Sequence, residues 1–97
     1  MQVNFFATFR TITGKKTVYF DLAENTTAAQ LLQVMIDTFP ALKKFLFTED
    51  GKLSPHVHFY INGQDVQLSA LALETPLKSQ DKVDIFPPVA GGEKSGN

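Results

Sequence analysis

The chain contains no cysteine. That absence removes disulfides, thiolate nucleophiles, cysteine-ligated zinc and persulfide chemistry together, so any sulfur the protein handles must ride on another group. A surplus of one charge is also missing. Nine Lys and Arg stand against ten Asp and Glu, intermixed, for a net charge of −1. No basic stripe is there to neutralise phosphates, and no nucleic-acid partner is expected. The apolar runs fall far short of the ~20 residues a membrane span needs. Met1-Gln2-Val3-Asn4 has no basic segment leading into an apolar one, so no signal peptide is read and a cytoplasmic protein is expected. Gly-x-Ser-x-Gly and Walker A motifs are lacking, and the acidic residues are scattered as solvated surface charge usually is. The chain does not read as an enzyme.

What it does have is enough apolar material for one core: 43% hydrophobic residues, nine of them Phe, in a chain of 97. That leaves no room for a second domain or a deep cleft. Residues 1–88 read as the domain and 89–97 as a flexible tail. The tail follows Phe86-Pro87-Pro88-Val89-Ala90-Gly91-Gly92, where prolines stiffen the exit and two residues without side chains follow. Composition alone also allows an ordinary frayed terminus.

Periodicity supplies the elements. Residues 2–10 alternate, with Val3, Phe5, Ala7 and Phe9 on one face and Gln2, Asn4, Phe6, Thr8 and Arg10 on the other, which predicts a half-buried strand. After a connector containing Gly14, residues 17–22 alternate again and predict a hairpin with the first strand. Thr27-Ala28-Ala29-Gln30 has the spacing of a capping box. Ala28, Leu31, Leu32, Met35, Ile36 and Phe39 form an apolar stripe at helical period, and Pro40 ends the helix. Residues 41–55 read as a long connection with Leu42, Phe45, Leu46 and Phe47 tucked under the domain. Residues 56–61 predict a strand, and Asn62-Gly63 a type I′ turn into a short return strand over 65–68. Residues 69–78 read as irregular, and 82–86 as the last strand. One helix covering a mixed four- to five-stranded sheet makes an α+β layered domain.

Parity places Phe6, Tyr60 and Phe86, from three strands, on the face opposite the core, with Arg10 and Lys82 beside them. Such a cluster suggests a protein-docking patch, unless the 41–55 connection covers it. His56 and His58 share the outward side and could offer two metal ligands, but a zinc site wants three or four. No metal site and no bound cofactor is expected.

Together, several segments resemble the MoaD/ThiS group of ubiquitin-like β-grasp proteins. They are Phe5-Phe6-Ala7-x-x-Arg10, Thr27-x-x-x-Leu31-Leu32, Phe39-Pro40, Tyr60-Ile61-Asn62-Gly63-x-Asp65-Val66, Thr75-Pro76-Leu77-x-x-x-Asp81-x-Val83, and Pro87-Pro88-Val89-Ala90-Gly91-Gly92. The likeness covers residues 1–92, and its closing segment is the most specific. It implies a sulfur carrier. A ThiF/MoeB-like adenylating enzyme activates the glycine carboxylate with ATP, sulfur is transferred to it, and a sulfur-accepting synthase takes the sulfur from the thiocarboxylate. The resemblance assigns activation to Gly92 and the threading tail to Val89, Ala90 and Gly91. It assigns partner docking to Phe6, Arg10 and Phe86, to which parity adds Tyr60 and the stiffened exit of the tail adds Pro87 and Pro88. The longer 41–61 region looks closer to carriers for cysteine biosynthesis than to the shortest molybdopterin-synthase small subunits.

Five residues follow Gly92, and a peptide-bonded Gly92 has no carboxylate to activate. The expectation is cleavage between Gly92 and Glu93, by a JAMM-type metalloprotease in resembling carriers, with a fusion remnant as the alternative. Two other functions stay open: a protein modifier joined to lysines through Gly92, and a binding module whose diglycine is incidental.

Overall fold

The computed structural model describes residues 1–68 and 72–87. Pro88, Val89, Ala90, Gly91, Gly92 and Glu93, and the tail boundary expected at 88–89, lie outside the described residues.

Strand β1 (Gln2–Phe5) is shorter than its alternation suggests. At Ala7 the backbone takes φ 53° and ψ −127°, and the Phe9 N–H donates to the Phe6 carbonyl at 3.1 Å. This is a type II′-like turn, and it diverts the chain into helix α1 (Thr8–Thr13). Phe9 and Thr13, four residues apart, face the core from that helix. Phe9 satisfies period two and period 3.6 alike, which is why the strand reading ran on to Arg10. Gly14, at φ 75°, caps α1 by donating its N–H to the Arg10 carbonyl.

Strand β2 (Thr17–Tyr19) then pairs antiparallel with β1, completing the expected hairpin. Two-residue strand β3 (Thr26–Thr27) leads into helix α2 (Ala28–Thr38). The capping box forms as expected: the Gln30 N–H donates to Thr27 Oγ1 at 3.2 Å, and the Thr27 N–H donates to Gln30 Oε1 at 2.9 Å. Ala28, Leu31, Leu32, Met35 and Ile36 are buried, sharing one core with Val3, Phe5, Phe59, Val83 and Ile85 of the sheet. Phe39 caps the helix just before Pro40 and sets its ring edge-on to Phe5.

The 41–55 connection is more regular than its sequence suggests. A 3₁₀ turn (Pro40–Leu42) runs into helix α3 (Lys43–Leu46), and Phe47 bridges to Leu53. Leu42, Leu46 and Leu53 join the core. Phe45 does not: it is exposed, with the Lys44 ammonium 5.2 Å from its ring centre.

Strand β4 (His58–Ile61) and two-residue strand β5 (Gln64–Asp65) flank the Asn62-Gly63 turn, whose φ values of 50° and 86° are those of type I′. The return strand ends sooner than expected, because Val66 enters a 3₁₀ turn and is buried. Strand β6 (Pro76–Leu77) pairs with β3 in a small second sheet that the sequence reading left irregular. Strand β7 (Lys82–Phe86) closes the main sheet.

The order in that sheet is β2-β1-β7-β4-β5. β1 and β7 run parallel and the other neighbours antiparallel. This mixed five-stranded sheet grasping one main helix is the ubiquitin-like β-grasp fold. Among the described residues no helix is long and apolar enough to cross a membrane.

Asn62 ties the β4–β5 hairpin to β7. Its Nδ2 donates to Asp81 Oδ1 at 2.9 Å, and its Oδ1 accepts from the Lys82 N–H at 3.0 Å. Asn62→Ala loses both bonds and strains the left-handed turn, so it is expected to cost about 2 kcal/mol in urea denaturation. Asn62→Gly keeps the turn and should cost about half as much. Equal losses would mean that backbone strain plays no part.

Candidate functional site

The inward side chains of the sheet are covered by α2, so the outward ones define the opposite face. Register pairs set its rows. Thr17, Asn4, Asp84, Tyr60 and Asp65 line up across all five strands. Tyr19, Gln2 and Lys82 form a row on one side, and Phe86 stands opposite His58 on the other. Phe6 extends β1 beyond its last paired residue by donating its N–H to the Ile85 carbonyl at 3.2 Å.

That bond lays Phe6 on Phe86, with ring centres 4.2 Å apart and planes within 9°. Tyr60 meets Phe86 edge-on at 5.7 Å and 79°. His58 lies parallel to Tyr60 at 6.1 Å, and its Nδ1 is 4.0 Å from Asp65 Oδ2. Each aromatic pair of this kind contributes about 0.5–1.5 kcal/mol beyond area burial. The rings therefore hold one another in place while staying half-exposed. Beside them runs a polar chain. Thr17 Oγ1 and Gln2 Nε2 donate to Asn4 Oδ1 at 2.7 and 3.2 Å, and Asn4 Nδ2 donates to Asp84 Oδ1 at 2.8 Å.

Parity thus brought Phe6, Tyr60 and Phe86 together correctly, and Pro87 follows them directly, half-buried. The 41–55 connection packs into the core, and among the described residues the ring partners of Phe6, Tyr60 and Phe86 are one another and His58. Arg10 is a correction. It stands exposed on α1, since β1 ends at Phe5, and strand parity does not apply to it.

The histidine pair divides too. β4 begins at His58, leaving His56 exposed in the preceding turn. Among the described residues no group of three or more potential ligands is placed to hold a metal ion. Asn4 and His58 take the outward side that alternation gives them, and Tyr19 and Asp84 join them there without having been expected. Tyr19 is 74% exposed at its edge, and the same parity rule, applied to every strand, finds both Tyr19 and Asp84.

This arrangement suits contact chemistry: a rigid aromatic surface at the root of the C-terminal segment. Phe6→Ala should cost less than about 2 kcal/mol in thermal or urea unfolding, against about 3–5 kcal/mol for Phe59→Ala in the core. A comparable loss at both positions would make Phe6 structural. Ala7→Gly relieves the positive-φ strain next to Phe6 and should raise stability by up to about 1 kcal/mol. A measured loss would contradict the strain.

Comparison with known proteins shows the family. The ThiS family profile matches residues 3–92, ending on the second glycine of the pair. Small archaeal modifier protein 3 of Haloferax volcanii is 38% identical over 93 residues, which is 95% of this chain and 98% of that one. A protein of Archaeoglobus fulgidus, provisionally named a sulfur carrier, is 42% identical over 71 residues, 72% of this chain and 78% of that one. Among solved structures, the BexX/CysO complex of Amycolatopsis orientalis contains a chain 32% identical with a TM-score of 0.76, covering 94% of this chain and 98% of that one. The chain belongs to the ThiS family of small ubiquitin-like sulfur carriers and modifiers.

Proposed function

We propose that the protein is a sulfur carrier whose working group is the main-chain carboxylate of Gly92. Residues 93–97 are removed first, by cleavage of the Gly92–Glu93 bond. The freed carboxylate then attacks the α-phosphorus of ATP on a ThiF/MoeB-like partner, releasing pyrophosphate and forming an acyl-adenylate. Hydrosulfide displaces AMP from the acyl carbon and leaves a thiocarboxylate, which gives its sulfur to an acceptor in a biosynthetic pathway such as that of molybdopterin or cysteine, hydrolysis returning the Gly92 carboxylate. The chain is consumed and recycled in this cycle and is not itself the enzyme. ATP belongs to the partner, and the cycle runs in the cytoplasm, where ATP is supplied.

The observation that carries this reading is the joined aromatic face of Phe6, Tyr60 and Phe86, which ends where the diglycine segment begins. It offers a partner a fixed grip from which Val89, Ala90 and Gly91 lead to the reacting carboxyl. Glycines suit the last positions because a Cβ would obstruct close approach to a nucleotide. A cysteine-free chain fits a carrier whose sulfur sits on the backbone. The family match ends at Gly92, which sets residues 93–97 apart from the shared segment. Arg10, Pro87 and Pro88 are proposed as further docking residues around the face.

A relative named as a modifier supports a second reading, in which a lysine amine displaces AMP and the chain becomes joined to another protein. Intact mass of the protein from its own cells tests both. The carrier predicts loss of residues 93–97 and one sulfur in place of one oxygen, both abolished when Gly92 is deleted. The modifier predicts the same trimming with higher-mass covalent adducts and no sulfur form. A full-length mass in every fraction would overturn both.

A further inference from the structure

The aromatic face carries a carboxylate at its centre. Asp84 lies on β7 between Asn4 of β1 and Tyr60 of β4, two residues before Phe86. Asn4, only 7% exposed, fixes its Oδ1, and Asn4 is itself held by Thr17 and Gln2. The orientation of this carboxylate is set by a chain of bonds spanning three strands. Among the described residues Asp84 has no cation. His58 Nδ1 lies 4.0 Å from Asp65 Oδ2, not at Asp84, and Lys82, two residues away, is exposed and forms no ion pair with Asp84 among the described residues.

A partner settling on these rings removes water from Asp84. Burying a carboxylate unpaired is costly, so a purely apolar partner surface would be rejected. The cation has to come from the other protein. The surroundings choose its type: Tyr60 stands opposite Asp84 and Phe86 beside it, so the charge arrives among aromatic rings. A guanidinium is planar, less strongly hydrated than an ammonium, stacks on rings and can bond a carboxylate in fork geometry. We propose that this face takes a partner surface presenting an arginine side chain to Asp84, with the rings packing around it. The anchor discriminates against apolar surfaces that the rings alone would accept. The proposal rests on the reading that the face docks the activating partner.

The test uses the ThiF/MoeB-like adenylating enzyme from the same cells, titrated calorimetrically with wild type, Asp84→Asn and Asp84→Glu at about 0.05 M and about 0.5 M salt. Asp84→Asn retains a side-chain oxygen for Asn4, and the melting curve of each variant is recorded. The expected result is about tenfold or more weaker binding of Asp84→Asn at low salt, a smaller gap at high salt, and partial recovery in Asp84→Glu. Wild-type affinity in Asp84→Asn overturns the anchor. So does an equal loss at both salts with a lowered melting point, which marks a structural role, and so does absence of binding by wild type. Exchange of pyrophosphate into ATP, measured with the chain ending at Gly92, reads activation of its carboxylate separately. Exchange with unchanged Asp84→Asn binding sinks only the arginine anchor. Binding without exchange by the chain ending at Gly92 sinks only the proposed activation of Gly92.

Discussion

The parallel pairing of β1 with β7 is the constraint on which the other features depend. It joins the first strand to the last, from Gln2 against Lys82 to Phe5 against Ile85. Both strands contribute buried side chains to the core and outward ones to the open face. Continuing the ladder by one bond sets Phe6 on Phe86. The aromatic surface therefore exists only when the two ends of the domain have met, and such long-range pairing is entropically the hardest contact to make. The position from which the diglycine segment departs is thus tied to completed folding.

The turn at Ala7 protects that pairing. Had β1 run on to Arg10, Phe6 would have been one rung among many on an extended strand. Instead the chain turns back under it, and Phe9 is buried from α1. The strain of a non-glycine residue at φ 53° is offset by burying Phe9 and by the turn's own hydrogen bond.

Local signals in the sequence were read well because local physics decides them. The Thr27–Gln30 capping box, the Asn62-Gly63 turn and the stop before Pro40 each involve a few consecutive residues, and each forms as spacing and turn chemistry require. Parity located the Phe6, Tyr60 and Phe86 cluster for a related reason, since alternation is a property of one strand at a time. Where two periods fit the same residues, as at Phe9, only packing chooses between them. The β3–β6 pair was illegible because each strand has two residues and finds its partner about fifty positions away in sequence. Arg10 was misplaced as a direct consequence of the first error. Asp84 and Asn4 were passed over because their importance lies in a bond between strands, not in either strand's pattern.

An exposed aromatic cluster poses a problem for a small protein, since rings that attract a partner also attract copies of themselves. The structure answers it in two ways. Ring–ring contacts among Phe6, Phe86, Tyr60 and His58 bury part of each apolar surface within the face itself. The polar row Thr17, Asn4 and Asp84 crosses the sheet next to them and keeps the face from being continuously apolar. The same rigidity favours a true partner, because side chains already held lose little rotamer freedom on binding. On the proposed docking role, selectivity comes from the carboxylate of Asp84 and affinity from the preorganised rings.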